Sequence, residues 1–238
     1  MIPKLKDGVP SDDLRPIGVT AVIARVLSKV LIKRYREWAR KVQVTDAVWT
    51  LFEVDSVISE AVSADKGFII RQSDLSNCFT RLQPELIVEM AVAFGMQRRH
   101  AVMLFMNNVA RPTVIKVGGG LTSDWYEVTR GMAQGDPASP LAAAILAGAH
   151  ARYLRRVTEG KVHFWTYVDD RTVIAESAEE LDTAVEALQR LDALSGQMED
   201  DGKLEVETVN IDGGGGRGYL DLLGVRLSLC GVHPPEVA

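Results

Sequence analysis

The 238-residue sequence predicts an α+β fold in which an antiparallel sheet is backed by helices. Three observations lead there. Helical and strand-like stretches follow one another in irregular order rather than in strict alternation. The strand-like stretches are short and separated by tight polar or glycine-rich turns. The composition, 47% hydrophobic and 25% charged, is that of an ordinary globular chain able to bury a full core.

Ile2 to Arg15, rich in Pro, Gly and Asp, reads as loop. From Val19 to Val42 apolar residues recur at helical spacing (Val22, Ile23, Val26, Leu27, Val30, Leu31), with Lys29, Lys33, Arg34, Arg36 and Arg40 between them, so one basic amphipathic helix is expected. A second helix spans Asp46 to Ser63, and Gly67 ends the pattern. Phe68 to Ser73 reads as a short buried strand that delivers Asp74 at its end. Pro84 to Gly95 is helical and an apolar stretch covers Val102 to Val109. Thr113–Val117 and Trp125–Thr129 alternate around three glycines and predict a hairpin. Pro140 to Val157 is a helix rich in small residues, suited to close packing on a sheet. His163–Val168 and Thr172–Ala175 are strands joined by a turn at Asp169-Asp170. Ala178 to Leu194 is an acidic amphipathic helix, and Leu204–Ile211 and Leu220–Leu229 look like a strand pair around a glycine-rich loop.

Two cysteines, in no metal-ligand spacing, exclude a disulfide framework and a zinc site. No apolar run reaches the ~20 residues of a membrane span. Taken alone, a net charge of −5 disfavours a phosphate-backbone partner, but the charge is segregated: residues 1–119 carry +5 and residues 120–238 carry −10. The basic half could meet phosphates through Lys29, Lys33, Arg34 and Arg40, although a solvated outer face explains the same residues.

Asp74 ends an apolar strand, and Asp169-Asp170 occupy a turn bracketed by Phe164, Trp165, Tyr167, Val173 and Ile174. Carboxylates in such surroundings are costly to bury without a cation. Oxygen ligands without His or Cys point to Mg²⁺ or Mn²⁺. A capped or salt-bridged Asp at each place is the alternative, and turns favour Asp in any case. Between the two acidic sites lies Arg130-Gly-Met-Ala-Gln-Gly-Asp-Pro-Ala-Ser-Pro140. Its glycines allow close backbone approach to a ligand, and Pro140 suits the first turn of a helix. An N-cap at Ser139 would account for the Ser-Pro pair but not for Gln134 between two glycines.

These residues, in this order, resemble the reverse transcriptases, most closely those of non-LTR (LINE-type) retrotransposons. Ile2-Pro3-Lys4 and Arg15-Pro16-Ile17-Gly18 are similar to the fingers motifs, and Asp74-Leu75-Ser76-Asn77-Cys78-Phe79 to the first palm motif. Arg130 to Pro140 resembles the next, Tyr167-Val168-Asp169-Asp170 the YxDD box, Ser195-Gly196 with Lys203 the one after, and Leu222 to Val225 the grip motif. The sequence departs from the pattern at Thr80, where an Asp is usual, and at Glu199, Asp200 and Asp201, which precede Lys203.

The resemblance implies a right-hand polymerase with fingers over residues 1–66 (joined by part of 84–129) and palm over 67–230, the thumb missing from these 238 residues. It implies that Asp74, Asp169 and Asp170 serve two Mg²⁺ ions, with Mn²⁺ as a substitute, in transfer of deoxynucleotides to a primer 3′-OH. Backbone from Leu75 onward and Arg15 would bind the triphosphate, Gln134 and Gly135 would lie against nucleotide and template, and Lys203 would protonate pyrophosphate. Phe79 would block a ribose 2′-OH. Partners would be an RNA template, a DNA or RNA primer and deoxynucleoside triphosphates, with no membrane. The setting would be intracellular, and nuclear in a eukaryotic retrotransposon. A catalytically incompetent, truncated or domesticated fragment that at most binds nucleic acid is the rival reading.

Overall fold

The computed structural model describes residues 2–6, 9–15, 22–41, 47–106, 109, 111–113, 116–117, 120–121, 126–210, 219–222, 225–229 and 236–237. For 2–6, 9–15, 36, 40–41, 47–49, 111–112, 116–117, 120–121, 126, 228 and 236–237 it describes the backbone alone. The chain divides into two interleaved units, one of residues 1–42 and 77–146, the other of 43–76 and 147–238.

The first unit opens with an antiparallel hairpin, β1 (Ile2–Lys6) and β2 (Val9–Arg15), where the sequence predicts loop. Lys6 and Val9 are partners, and Asp-Gly between them in sequence is the dipeptide that most favours a two-residue hairpin. Pro3 and Pro10 are tolerated because a two-stranded ribbon leaves every strand at an edge. The expected single basic helix is two, α1 (Val22–Arg34) and α2 (Arg36–Lys41), separated at Tyr35. The Tyr35 hydroxyl lies 2.6 Å from His100 Nδ1, which pins this break to α6 (Arg98–Phe105). α1 also departs from its pattern. Of the apolar stripe only Leu31 is buried, beside Ser28, whereas Val22, Ile23, Val26 and Val30 are exposed, so most of the stripe lies off the packed face. The core of the unit gathers Leu31, α5 (Pro84–Ala93) and α6 around Phe105, Met132 and Ile145. Of the expected hairpin, Thr113 does pair with Tyr126, in the ladder of β4 (Arg111–Thr113) with β7 (Tyr126–Val128), but 116–117 pairs instead with 120–121, as β5 (Lys116–Val117) with β6 (Gly120–Leu121).

The second unit is built on a four-stranded antiparallel sheet in the order β10 (Glu205–Val209), β3 (Phe68–Asp74), β9 (Asp170–Ala175), β8 (His163–Tyr167). Its two faces follow from the period-two alternation of strand side chains. On one face Phe68, Ile70, Trp165 and Ile174 meet Val54 and Ile58 of α3 (Ala47–Ser63), with Leu220, Leu222 and Leu227 from a hairpin, β11 (Tyr219–Leu222) and β12 (Val225–Ser228). The Trp165 indole N–H donates to Glu53 of α3 at 2.8 Å. On the other face Ile69, Val173 and Ala175 meet Leu154 of α7 (Ser139–Val157) and Leu181, Ala184 and Leu188 of α8 (Ala178–Ser195). α8 is capped at both ends, by the Ser177 hydroxyl accepting from the Glu180 N–H and by Gly196 in the left-handed region.

One expected pairing is corrected. Residues 204–211 do not pair with 220–229: β10 joins the edge of the sheet beside β3, and 219–228 folds on itself with β13 (Glu236–Val237) as a third strand. The glycine-rich segment 213–218, on which the expected pairing turned, lies outside the described residues.

Candidate active site

Asp74 is the last residue of β3 and Asp170 the first of β9, and the two are cross-strand partners. Even-numbered residues of both strands share a face, so Gln72, Asp74, Asp170 and Thr172 continue the row begun by Ile70 and Ile174. Apolar side chains fill the middle of that face and polar ones line its end. Asp169 sits in the two-residue turn from Tyr167 to Asp170, and its carbonyl accepts the Leu75 N–H at 3.0 Å. The strand end bearing Asp74 and the turn bearing Asp169 are therefore tied by main chain.

The turn carries a strained residue. Val168 has φ 61°, a left-handed conformation rare for a β-branched side chain. Two-residue hairpins favour positive φ because it matches the twist of the strands, and Val168 bears a penalty of about 1–2 kcal/mol that Gly or Asn would avoid.

Lys203 closes the site. It ends a short 3₁₀ turn (Asp201–Lys203), and its ammonium donates to the Asp74 carboxylate. Asp74 is only 7% exposed, so this contact supplies the positive charge that burial demands. Asp170 receives only part of that relief. Burial, then the charges of Asp169 and Asp74, push its carboxyl up from 3.8 to about 6, with Lys203 opposing. Asp74, Asp170, Thr172, Lys203, Tyr219 and Leu222 line a cleft of about 230 Å³.

The opposite face carries a second set of charges that sequence reading missed. Arg71, Ser73 and Arg171 lie there at the odd-numbered positions, all 5% exposed or less. Arg171 grips Asp192 of α8 through two bonds of 2.6 and 2.7 Å, and His150 Nε2 of α7 lies 3.2 Å from the same carboxylate. Burial resists the charge on Asp192, but the bonds from Arg171 and His150 prevail and lower its pKa to about 2. Arg71 and Ser73 bind Glu199, one of the residues at which the sequence departs from the family pattern. An available signal was an arginine in the middle of an apolar strand, which requires a buried partner.

The first unit holds the other sequence-predicted residues. Phe79, in α4 (Cys78–Arg81), packs half-buried against that unit's core, and its carbonyl accepts the Met132 N–H at 2.7 Å. Gly131 has φ 80°, and a Cβ there would sit 2.5 Å from the Thr80 carbonyl oxygen. That close approach explains the first glycine of the Arg130–Pro140 motif. Gln134 is half-buried, beside Gly135 at φ 96°. The loop is held by the Ser139 hydroxyl, which donates to the Ala133 carbonyl at 2.8 Å, and by Asp136, which accepts the Ala138 N–H at 2.8 Å. Lys29, Lys33 and Arg34 are exposed on α1, whereas the side chains of Arg15 and Arg40 lie outside the described residues.

A two-residue turn that sets paired aspartates against a third at the end of the neighbouring strand, in an antiparallel sheet backed by helices, is the palm of a nucleic-acid polymerase. Comparison with known proteins narrows the class: the reverse transcriptase (RNA-dependent DNA polymerase) family matches residues 2–205, and the chain belongs to that family. It is similar to the Retrovirus-related Pol polyprotein from type-1 retrotransposable element R2 of Nasonia vitripennis, with 25% identity over 207 residues, covering 79% of this chain and 20% of the other. The expected non-LTR affinity is thereby borne out. The chain spans about a fifth of that polyprotein. Among solved structures, the apo telomerase of Candida tropicalis truncated from its C-terminal domain superposes with a TM-score of 0.63 at 12% identity, covering 91% of this chain and 45% of that one. A Candida albicans telomerase in complex with a TWJ fragment of telomeric RNA gives 0.59 at 15%, covering 87% and 36%. These likenesses bear out the fingers–palm fold.

Reverse transcriptases generally use divalent metal ions. Among the described residues no group of three His, Cys, Asp or Glu stands ready-made as a metal cage. The donor chemistry nevertheless fits a hard cation: carboxylate oxygens only, with Asp170 raised by burial and then by its acidic neighbours, both of which a cation would offset.

Proposed function

We propose that this chain catalyses RNA-directed synthesis of DNA, adding deoxynucleotides to a primer 3′-OH in the manner of a non-LTR retrotransposon enzyme. The reading is carried by the cross-strand pairing of Asp74 and Asp170, with Asp169 beside them. Bound Mg²⁺ would supply activation of the primer hydroxyl and stabilisation of the departing pyrophosphate. Asp74, Asp169 and Asp170 would hold it. Asp170 would hold the cation in its ionised form, and Lys203, at Asp74, would be placed to donate a proton to the pyrophosphate. Leu75 and the backbone beyond it would face the triphosphate, with Arg15 as a further phosphate partner.

In the first unit, Gln134 and Gly135 would contact nucleotide and template, and Phe79 would set the sugar preference. Lys29, Lys33, Arg34 and Arg40 would attract the template's phosphates without reading sequence. We carry the division into fingers (1–66) and palm (67–230) as part of this proposal.

The test is extension of a primer on an RNA template with Mg²⁺ or Mn²⁺, run beside an electrophoretic binding assay. Asp169→Asn should abolish extension while leaving circular dichroism and binding unchanged. Binding by the wild type without extension would instead support the incompetent, nucleic-acid-binding fragment.

A further inference from the structure

The segment that carries Lys203 is fastened to β3 from both faces of the sheet. On the face away from the carboxylates, Arg71 donates to both Glu199 oxygens at 2.9 and 2.6 Å, and the Ser73 hydroxyl donates to the same carboxylate at 2.7 Å. Arg171 stands 3.7 Å away as a second cation. Main chain continues the attachment: Glu199 bridges Leu75, the Ser76 N–H donates to Met198, and the Asp200 N–H donates to the Asp74 carbonyl at 2.9 Å. The Lys203 N–H then donates to the Asp200 carbonyl, and the Asp200 carboxylate accepts the Gly202 N–H. Residues 199–203 thus wrap the end of β3, with Glu199 anchored on one face and Lys203 reaching Asp74 on the other.

We propose that Glu199 is a positioning residue whose clamp by Arg71 and Ser73 fixes where the Lys203 ammonium stands relative to Asp74. The inference rests on the polymerase reading above. Its logic is geometric. A forked arginine–carboxylate pair fixes orientation as well as distance. The turn from 199 to 203 is short and closed by the Lys203 N–H to Asp200 and the Gly202 N–H to the Asp200 carboxylate, so a shift at Glu199 is passed to the backbone of Lys203. The acidic run before Lys203, a departure from the family pattern, is then what delivers the lysine. Burial opposes the negative charge on Glu199, but the bonds from Arg71 and Ser73 hold its carboxyl below the usual range, so the clamp is charged at neutral pH.

The experiment is a double-mutant cycle between Glu199→Gln and Lys203→Ala, read by steady-state extension and by hydrogen exchange of 198–203. Glutamine keeps the size and one acceptor, which guards against unfolding of the kind expected when a buried arginine loses its partner. With Lys203 present, Glu199→Gln should lower kcat about tenfold while KM for the deoxynucleotide stays within about twofold. In the Lys203→Ala background it should cost nothing further, and Glu199→Asp should recover part of the loss. Exchange across 198–203 should quicken in Glu199→Gln whether or not the lysine is present. Equal losses of kcat in both backgrounds, or unaltered exchange, would overturn the positioning role. A wild type that exchanges as expected but extends no primer overturns the polymerase reading itself, and with it any role for Glu199 in transfer.

Discussion

Asp74 and Asp170 stand directly opposite one another at the open end of the β3–β9 ladder, two carboxylates brought together by strand register. Burial raises the Asp170 carboxyl to about 6, and the neighbouring charges of Asp169 and then Asp74 add to the opposition to its ionisation. Asp74→Asn should therefore move the Asp170 titration down from about 6, read by carboxyl ¹³C chemical shifts. An unmoved titration would mean that burial and Asp169 alone set it.

The same shift fixes a pH dependence. The folded pKa, about 6, lies above the ordinary 3.8, so the fold favours the protonated form. Its stabilising contribution is complete below pH 4 and is lost as pH rises through about 6. Cation affinity should run the other way, since only the ionised carboxylate binds metal. Mn²⁺ titrated calorimetrically should bind more tightly at pH 7 than at pH 5. Equal affinities would remove Asp170 from the ligand set.

Asp192 behaves oppositely: lowered to about 2, it contributes stability above pH 4 that is lost as pH falls toward 2, on the order of 2 kcal/mol. Asp192→Asn removes the bidentate partner of Arg171, which is buried at 2% exposure and keeps the more distant Glu199 at 3.7 Å, and should cost about 3–5 kcal/mol in urea unfolding at pH 7. It should also flatten the acid limb of the stability curve relative to wild type.

Gly131 and Gly160 make a matched pair. Both have positive φ, 80° and 77°, but a Cβ meets Thr80 backbone at 2.5 Å in the first and nothing within 4 Å in the second. Gly160→Ala should cost about 1 kcal/mol, and Gly131→Ala about 2–4 kcal/mol because the clash adds to the strain. Equal costs in denaturant titrations would show that the loop around Gly131 gives way.

For Phe79, replacement by Ala should raise incorporation of ribonucleotides relative to deoxynucleotides in paired extension assays. An unchanged ratio would reduce Phe79 to a packing residue. Some loss of stability accompanies either outcome, since the ring packs against the first unit's core.

Much of this was legible in the chain. The strand ending at Asp74, the turn at Asp169-Asp170 and the loop around Gln134 announce themselves through local pattern: an apolar run ending in a charge, paired acids between strands, a glutamine between glycines. Ile2 to Arg15 was misread because proline and glycine counted against strand, whereas Asp-Gly at a two-residue spacing counts for a hairpin. The apolar stripe of α1 misled in another way. Periodicity reports the helix, but which face packs depends on what lies against it, and here only Ser28 and Leu31 are covered.

The sequence by itself determined the residue types and their order: three aspartates, the lysine, the glycines, and hence the family. Only the tertiary structure decided their company. Strand register placed Asp74 against Asp170, and pleat parity put Arg71 and Arg171 on the reverse face. The pairing of 199–203 with the end of β3 puts Glu199, half-buried, onto Arg71 and Ser73 and makes the acidic run an anchor. The physical reason is range. Helical and strand periods are set by neighbours along the chain, whereas the partner of a buried charge more than a hundred residues away is chosen by the packing that excludes water from both.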